Sequence, residues 1–281
     1  MREIEASAIT QAVARLCQQA NFEFDEGVLA ALKEAQQTEE SELGREVLSQ
    51  LLENAQIAKQ EYIPLCQDCG TAVVFLEIGQ EIHLIGGDLY TAIEGGVRQG
   101  YTQGYLRKSI VSQPFSSRIN TRDNTPPVIH TEMVLGDRLK IMVMPKGAGA
   151  ENMSRLAMLK PGDGRQGIID LVVTIVDEAG SNPCPPLIIG LGIGATPEKV
   201  MLMAKKALLR EVAKPSPDPE IAELEKEILA RVNALGIGPL GFGGSTTALA
   251  VQAEVMPTHI GSLPVAVNLQ CHSARHKEAV L

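Results

Sequence analysis

Four short apolar runs, each followed by a loop that contains Gly, Pro or Cys, constrain the fold of this chain more than any other feature. The runs cover residues 139–144, 168–176, 187–193 and 263–269. Their length and their content of β-branched residues predict strands buried in a sheet. With 3% aromatic residues and no Trp in the chain, aliphatic side chains must fill the core. Loops at strand ends commonly carry binding groups, so these loops are candidate site segments.

Residues 1–60 predict a mostly helical N-terminal part, because apolar residues recur there at spacings of three and four. The clearest set is Leu43, Val47, Leu51, Ala55 and Ala58. Residues 71–92 predict two short strands around a Gly-Gln pair, and residues 91–112 predict another helix. The first part of the chain is therefore expected to lead from helices into a sheet.

Two later helices have well-marked starts. Thr196 precedes Pro197, and Asp218 precedes Pro219, so each pair supplies an N-cap residue and a proline at the first helical position. No internal repeat or domain linker is evident in the sequence. The sequence therefore predicts a single domain over residues 1–281. Its class is mixed α/β with α+β character, in which N-terminal helices precede a sheet-containing core.

Charge and composition argue against several classes of partner. The formal net charge is −9 and no basic stripe is present, so no nucleic acid is expected. The densest basic cluster, residues 275–277, indicates a local anion site instead. No apolar run reaches the roughly 18 to 20 residues of a membrane span, so no membrane is expected. The N-terminal residues lack a signal-peptide pattern, and five cysteines do not suggest a disulfide framework, so the expected location is the cytoplasm.

A Cys-x-x-Cys motif at Cys66 and Cys69 has the spacing of a dithiol switch or of half a metal site. The motif follows a predicted helix and a proline and precedes a strand, whereas a redox motif usually opens a helix. A zinc site needs two more ligands, which Cys184 and Cys271 can supply. Prolines flank Cys184 on both sides, and such a rigid frame suits a fixed metal ligand. Spacing alone leaves structural zinc and an iron–sulfur site both open.

Two other features have plainer explanations. Gly190 and Gly192 formally fit a dinucleotide-binding fingerprint after a strand. The predicted helix starts only after these glycines, however, whereas a dinucleotide-binding helix begins within them, so a tight strand-to-helix turn is favoured. Cys17 lies on an apolar helical face and is interpreted as an ordinary buried thiol.

Several motifs together resemble the α subunit of the two-subunit, iron–sulfur-dependent class I fumarate hydratases. These motifs are LCQDCGT, KGAGAENMS, NPCPPLIIGLGIG, ALGIGPLGFGGSTTALAV and HIGSLPVAVNLQCHSARHKE. The resemblance runs in register from about residue 40 to residue 281. The same superfamily includes the L-tartrate dehydratase α subunits.

The resemblance implies a 4Fe–4S cluster held by Cys66, Cys184 and Cys271. Three thiolates leave one iron of a cubane open, and an open iron can act as a Lewis acid toward a substrate hydroxyl and carboxylate. The implied reaction is the reversible hydration of fumarate to malate. Cys69 is implied to be a bystander, since the family usually has Thr at its position.

The resemblance also implies roles for residues near the ligands. Gln67 matches a substrate contact, Asp68 matches the acid–base carboxylate, and Arg107 matches an arginine that grips a substrate carboxylate. Without the resemblance, an arginine such as Arg107 would be interpreted as part of a surface salt bridge.

Three further residues match the family's substrate-binding set. The backbone of Gly147 and Ala148 matches a Gly-rich loop close to the substrate, although the chain has Gly-Ala-Gly-Ala where Gly-Gly-Gly-Ser is usual. His259 matches a substrate-binding histidine. The residues alone would favour a strand-end histidine for His259.

A small dicarboxylate dianion needs about two cationic clamps, and single-chain relatives supply the remaining groups from a following domain. A separate β subunit is therefore expected to complete the site, in an α2β2-type oligomer. Two alternatives remain. One is an L-tartrate dehydratase α subunit with the same chemistry. The other is a non-catalytic iron–sulfur or zinc module in which Cys69 serves as the fourth ligand.

Overall fold

The computed structural model describes residues 2–212 and 214–281, which form two compact units. The first unit contains the described residues up to Asp25, together with Asn54–Ala148 and Arg275–Leu281. The second unit contains Glu26–Glu53 and Gly149–Ala274. The class is mixed α/β, with N-terminal helices followed by mixed sheets, which confirms the predicted fold class.

The elements up to residue 151 include the predicted N-terminal helices. They are β1 (Arg2–Glu5), α1 (Ala6–Phe22), α2 (Glu26–Thr38), α3 (Glu42–Glu61), β2 (Thr71–Gly79), β3 (Ile82–Ile85), α4 (Leu89–Gln103), β4 (Val128–Val134), β5 (Leu139–Lys146) and α5 (Ala148–Glu151). The two strands predicted around the Gly-Gln pair are β2 and β3. The predicted helix over residues 91–112 ends earlier than expected, at Gln103.

The remaining elements carry most of the second unit. They are β6 (Arg155–Leu159), α6 (Gly164–Ala179), β7 (Leu187–Gly194), α7 (Pro197–Ala207), α8 (Pro219–Asn233), β8 (Ala248–Met256), β9 (Leu263–Gln270) and β10 (Lys277–Val280). The starts predicted for α7 and α8 are confirmed. The side chain of Asp218 caps α8 by accepting from the backbone N–H groups of Glu220 and Ile221.

A four-stranded sheet in the order β10-β5-β2-β4 organises the first unit. Strand β2 runs parallel to β4 and antiparallel to β5, and β10 pairs antiparallel with β5. Helices α1 and α4 approach closely because α4 has glycines at the crossing. A Cβ on Gly96 would lie 2.7 Å from the carbonyl oxygen of Thr10, and one on Gly100 would lie 2.7 Å from that of Ala14. Any side chain at these two positions would push the helices apart.

A second four-stranded sheet, in the order β6-β9-β7-β8, organises the second unit. Its core packs aliphatic side chains of β7, β8 and β9 against α6 and α8. On β7, Gly190 and Gly192 allow close packing of α7. A Cβ on Gly190 would lie 2.1 Å from the carbonyl oxygen of Ala204, and one on Gly192 would lie 2.3 Å from that of Val200. The glycines that resemble a dinucleotide fingerprint therefore serve packing between strand and helix.

The strand predicted over residues 168–176 is wrong, because this run forms the middle of α6. Its buried members are Ile168, Ile169, Val172, Ile175 and Val176. They recur at spacings of one, three and four, which is the pattern of one helical face. The β-branched composition misled the prediction. Burial of one helical face against the sheet stabilises the helix although β-branched residues have only a modest helix propensity.

Glu39, at the end of α2, binds the loop that precedes β8. Its buried carboxylate accepts from the backbone N–H groups of Ser41, Ser245 and Thr246, at 2.9, 2.8 and 2.8 Å. Gly244 permits this contact, because a Cβ there would lie 2.5 Å from Oε1 of Glu39. Burial raises the pKa of Glu39, but these hydrogen bonds outweigh burial and lower it to about 2.

Stability should therefore fall in acid through Glu39. Because the folded pKa is depressed, the contribution is complete above the unfolded pKa of 4.5 and is lost as the pH falls toward about 2. After allowance for solvent screening, this contribution is about 2 kcal/mol. We expect Glu39→Gln to lower the free energy of unfolding at pH 7 by about this amount. Urea unfolding of both proteins between neutral and acid pH measures the difference, which should shrink on acidification.

Glu34→Gln provides the matched control, since Glu34 is an exposed residue of α2, five positions before Glu39. A constant difference in unfolding free energy between Glu39→Gln and the unmodified chain across this pH range would contradict the assigned role of the carboxylate charge.

No helix in the described ranges 2–212 and 214–281 has both the length and the apolar character to cross a membrane.

Candidate active site

The segment that leads from α3 to β2 carries the first predicted ligand and is fixed at both ends. Its start is held by Leu65, whose N–H donates to the carbonyl of Asn21 and whose carbonyl accepts from Nδ2 of Asn54, at 2.8 and 2.9 Å. Its end is Gly70, with a positive φ of 71°. A Cβ on Gly70 would lie 2.7 Å from the backbone nitrogen of Lys146, so the loop needs glycine there.

Cys66 lies half-buried within this loop. Its sulfur accepts a hydrogen bond from the backbone N–H of Asp68 at 3.4 Å. An N–H group directed at a thiolate stabilises its negative charge and tunes any metal centre that it binds. Gln67, between these two residues, is exposed. The loop thus presents a thiol and an amide side chain side by side.

The carboxylate of Asp68 is oriented by two backbone groups. Oδ1 accepts from the N–H of Gly70 at 2.9 Å, and Oδ2 accepts from the N–H of Ala148 at 2.7 Å. Gly147 lies beside the carboxylate, since a Cβ there would lie 3.3 Å from Oδ2. The predicted Gly-rich loop therefore meets Asp68 directly, and the Ala148 N–H serves the carboxylate. This arrangement holds a potential base in one direction.

Arg275 fixes the backbone at the same position. Its guanidinium donates to the carbonyl oxygen of Asp68, and the residue is buried. The sequence predicts a local anion site at the basic cluster of residues 275–277. His276 and Lys277 instead lie against Asp25, with closest nitrogen-to-oxygen distances of 3.3 and 2.8 Å. Burial lowers the pKa of His276, which favours its neutral form.

Arg107 is placed in the same unit through its backbone. The preceding Leu106 is buried in the core, whereas the side chain of Arg107 is exposed. The N–H of Arg107 donates to the sulfur of Cys69 at 3.2 Å. Among the described residues Arg107 forms no ion pair, so the salt bridge considered from the sequence is not found.

The second unit brings two predicted ligand loops together. Cys184 is exposed, with a positive φ of 55°, in the turn between α6 and β7, and Cys271 directly follows β9. The carbonyl oxygen of Cys184 accepts from the backbone N–H of His272 at 3.1 Å, and Nδ1 of His272 lies 3.1 Å from the same oxygen. Since a carbonyl only accepts, the ring of His272 donates through Nδ1. Both hydrogen bonds tie the Cys184 turn to the residue after Cys271.

His259 lies in the turn between β8 and β9. Its Nδ1 accepts from the backbone N–H of Gly261 at 3.1 Å. In the neutral ring the proton then resides on Nε2, because a backbone N–H can only donate. The exposed His259 therefore presents a donor, which suits a carboxylate or hydroxyl oxygen of a substrate.

The five cysteines divide into two groups by exposure. The predicted ligands Cys66, Cys184 and Cys271 are half-buried, exposed and half-buried, whereas Cys17 and Cys69 are buried. Burial raises the pKa of Cys17 to about 12, and burial also raises the pKa of Cys69. Iron binding requires loss of the thiol proton, and burial makes that loss less favourable for these two cysteines. By accessibility, the three thiols that the resemblance implies as ligands are better suited to bind iron than the two buried thiols.

A single zinc ion and a cubane cluster place different demands on the arrangement of side chains. Within residues 2–212 and 214–281, no group of three or more His, Cys, Asp or Glu side chains is placed to hold a metal ion. A single zinc ion needs its four ligand atoms around one centre. In a cubane cluster each thiolate binds a different iron, so the ligand sulfurs need not share a centre.

The sequence did not indicate two buried residues that hydrogen-bond to the backbone at the end of the Cys66 loop. Tyr101 is fully buried in α4, and its hydroxyl donates to the carbonyl oxygens of Cys69 and Gly70 at 2.7 and 3.1 Å. Asn124 is also fully buried, and its Nδ2 donates to the carbonyl of Gly70 at 3.1 Å. The only sequence signals were a tyrosine on an apolar helical face and an asparagine in a polar turn. Neither pattern indicates such a role.

Comparisons with known proteins identify the family of the chain. The chain matches the fumarate hydratase (Fumerase) family over residues 10–280. It is 40% identical to a Methanocaldococcus jannaschii protein provisionally named as an L(+)-tartrate dehydratase subunit alpha, over 95% of each chain. It is 29% identical to an Escherichia coli L(+)-tartrate dehydratase subunit alpha and 28% identical to that of Shigella boydii, in each case over 95% of this chain and 88% of the relative.

The family match spans nearly the whole chain, and the most similar of these relatives is aligned over nearly its full length. The motifs that carry the resemblance include the loops of all three accessible cysteines. This chain therefore belongs to the fumarate hydratase (Fumerase) family, among the α subunits of the class I iron–sulfur hydro-lyases.

Proposed function

We propose that this chain is the α subunit of a hydro-lyase that acts on a four-carbon dicarboxylic acid, with L-tartrate as the favoured substrate. One observation carries the proposal. The accessible thiol of Cys66 lies two residues from Asp68, whose carboxylate is oriented by two backbone N–H groups. The names of the three relatives support L-tartrate. The family description supports the hydration of fumarate to malate as a second candidate.

Cys66, Cys184 and Cys271 are the proposed ligands of a 4Fe–4S cluster. When bound, such a cluster supplies an open iron that polarises a hydroxyl group of the substrate as a Lewis acid. The accessibility of these three thiols and the burial of the other two support the assignment. The hydrogen bonds between the Cys184 carbonyl and His272 keep two of the ligand loops in fixed register.

Asp68 is the proposed acid–base residue. Elimination of water from a hydroxy acid requires removal of a proton from the carbon next to a carboxylate, and addition of water requires the reverse transfer. Each carboxylate oxygen of Asp68 accepts one backbone N–H and keeps a second lone pair. That lone pair can take the proton in one direction of the reaction, and the resulting acid can return it in the other.

Arg107, Gln67 and His259 are the proposed substrate contacts of this chain. Arg107 has an exposed guanidinium without an ion pair in the described ranges, which suits a substrate carboxylate. Gln67 is exposed beside the ligand Cys66, and His259 offers an Nε2–H donor. The backbone of Gly147 and Ala148 contributes by holding the Asp68 carboxylate.

A β subunit is the proposed partner, because the relatives are α subunits. A dicarboxylate carries two negative charges, and the contacts proposed here include one permanent cation, Arg107. Orientation of both carboxylates is a large part of the rate enhancement that binding can supply. An α2β2-type assembly would bring the missing cationic groups.

The chain purified alone, with its cluster rebuilt under anaerobic conditions, should therefore show little turnover. We expect a loss of at least about 100-fold relative to the complex, since a misplaced substrate costs this much. The measurement is the anaerobic rate with L-tartrate, malate and fumarate, for the chain alone and for the chain co-expressed with its β subunit. Full activity of the chain alone would contradict the need for a partner.

The same assay tests the substrate. A preference for L-tartrate, expressed as kcat/KM over malate and fumarate, is the expected result for the complex. A preference for fumarate and malate would select the second candidate and leave the hydro-lyase proposal intact. Activity on none of the three acids, with a full cluster present, would overturn the substrate class.

A non-catalytic iron–sulfur module would need a fourth ligand. Cys69 is 1% exposed, and its sulfur accepts the Arg107 N–H, so it is a poor choice for that ligand. A catalytic cluster with an open iron should lose about one iron in four to a chelator. Retention of all the iron after chelation would favour the closed, non-catalytic module.

A further inference from the structure

The thiol of Cys69 has a defined contact although it is not a proposed cluster ligand. The residue is 1% exposed, and its sulfur accepts the backbone N–H of Arg107 at 3.2 Å. The same sulfur lies 3.8 Å from the carbonyl oxygen of Cys66, toward which its S–H can donate. One buried sulfur thus links the loop of the proposed ligand Cys66 to the backbone of the proposed substrate contact Arg107.

The segment after Arg107 is held to the same loop by a second set of buried contacts. Oδ1 of Asn124 accepts the N–H of Ser109 at 2.8 Å, while its Nδ2 donates to the carbonyl of Gly70 at 3.1 Å. The Tyr101 hydroxyl donates to the carbonyl of Cys69 at 2.7 Å. The contacts made by Cys69 and Asn124 therefore hold residues 107–109 on both sides, and in each case the partner is the segment that carries Asp68.

We infer that Cys69 is a positioning residue for Arg107. The thiol fixes the position of the Arg107 backbone relative to Cys66, Gln67 and Asp68. It thereby limits where the guanidinium of Arg107 can reach. This inference rests on the proposed function, because it requires Arg107 to hold a substrate carboxylate. It assigns Cys69 no contact with the substrate or with iron.

The physical argument concerns one exposed side chain on a constrained backbone. The Arg107 side chain is exposed and makes no ion pair among the described residues, so its location depends on its backbone anchors. Removing the acceptor leaves a polar N–H without its partner and lets the segment move. Loss of such a bond corresponds to about a tenfold change in an equilibrium. The effect should fall on KM with kcat nearly unchanged, as for an interaction that binds substrate and transition state alike.

A matched pair of substitutions isolates the hydrogen bond. Thr and Val have nearly the same shape, but only Thr offers an oxygen that can accept the Arg107 N–H. In the complex with its β subunit, Cys69→Val should raise the KM for the dicarboxylate about tenfold. Cys69→Thr should bring KM back toward the value of the unmodified complex. Iron content and the unfolding temperature of both variants serve as structural readouts.

Cys17→Val is the control for loss of a buried thiol. Cys17 is fully buried in α1, and its substitution should leave KM unchanged. If Cys69→Val does not fold, Cys69→Ala removes the acceptor with a smaller side chain and should show the same rise in KM. Equal KM values for the Val, Ala and Thr variants at position 69 would overturn the inference.

A double substitution shows whether Cys69 acts through Arg107. Arg107→Ala should raise KM by itself, and adding Cys69→Val should then raise it no further. An undiminished effect of Cys69→Val in the Arg107→Ala background would overturn the positioning role. An unchanged KM for Arg107→Ala would instead remove Arg107 from the proposed substrate contacts. The two failures are therefore distinguishable.

Discussion

Replacing Cys66, Cys184 or Cys271 with Ala should abolish both the brown colour of the anaerobic protein and its hydro-lyase activity. Ala cannot bind iron, and loss of one of the three proposed ligands should leave the proposed cluster without stable attachment. The measurements are iron and sulfide per chain, visible absorbance, and turnover of the complex with its β subunit. We expect losses at the detection limit, the largest effect of any substitution considered for this chain.

Cys17→Ala is the matched control, since it makes the same chemical change at a thiol that is fully buried. Burial raises the pKa of Cys17 to about 12, so this thiol should not supply a thiolate to iron. The control protein should keep its colour and its activity. A full cluster in Cys184→Ala or Cys271→Ala would refute the proposed ligand set.

Asp68→Asn should keep the cluster and lose about 100- to 10,000-fold in kcat, the usual contribution of acid–base catalysis. An amide cannot take up a proton at neutral pH. It also has one oxygen where the carboxylate has two, so it cannot accept both the Gly70 and the Ala148 N–H groups. The measurement is kcat against pH, together with iron content and unfolding temperature.

The pH profile separates the catalytic role from a structural one. Loss of the acid–base group should remove a limb of the kcat profile, whereas a merely loosened loop should lower the whole profile without changing its shape. Asp88→Asn is the control, because Asp88 caps α4 and Asn is an equally good N-cap. Normal turnover by Asp68→Asn would leave Asp68 with only a structural role.

The sequence predicted those parts of the fold in which a local pattern decides the structure. Thr196-Pro197 and Asp218-Pro219 marked the starts of α7 and α8 because caps and prolines act within one helical turn. The run 168–176 misled the prediction because β-branched residues are typical of strands, while their spacing matched a helix. The short strand β1 was not predicted, since it is specified by its parallel pairing with β3, about 80 residues away.

Prediction of the site depended on motifs rather than on contacts. The resemblance indicated Cys66, Asp68 and Arg107, but no local pattern could indicate that a sulfur joins Cys69 to Arg107 across 38 residues of chain. The roles of Tyr101 and Asn124 were equally invisible. Such residues form hydrogen bonds between segments that are distant in the chain, and a single sequence does not show which segments pair.

The path of the chain has a consequence for its synthesis. The first unit contains residues 54–148 and also β10. The second unit contains residues 149–274, which are synthesised after residue 148 and before β10. Strand β10 pairs with β5, so the first sheet gains its last strand only after residues 149–274 have left the ribosome. Contacts over such long separations form slowly. We therefore expect a growing chain to expose the Cys66 thiol before its surroundings are complete, so that loading of the proposed cluster should follow translation.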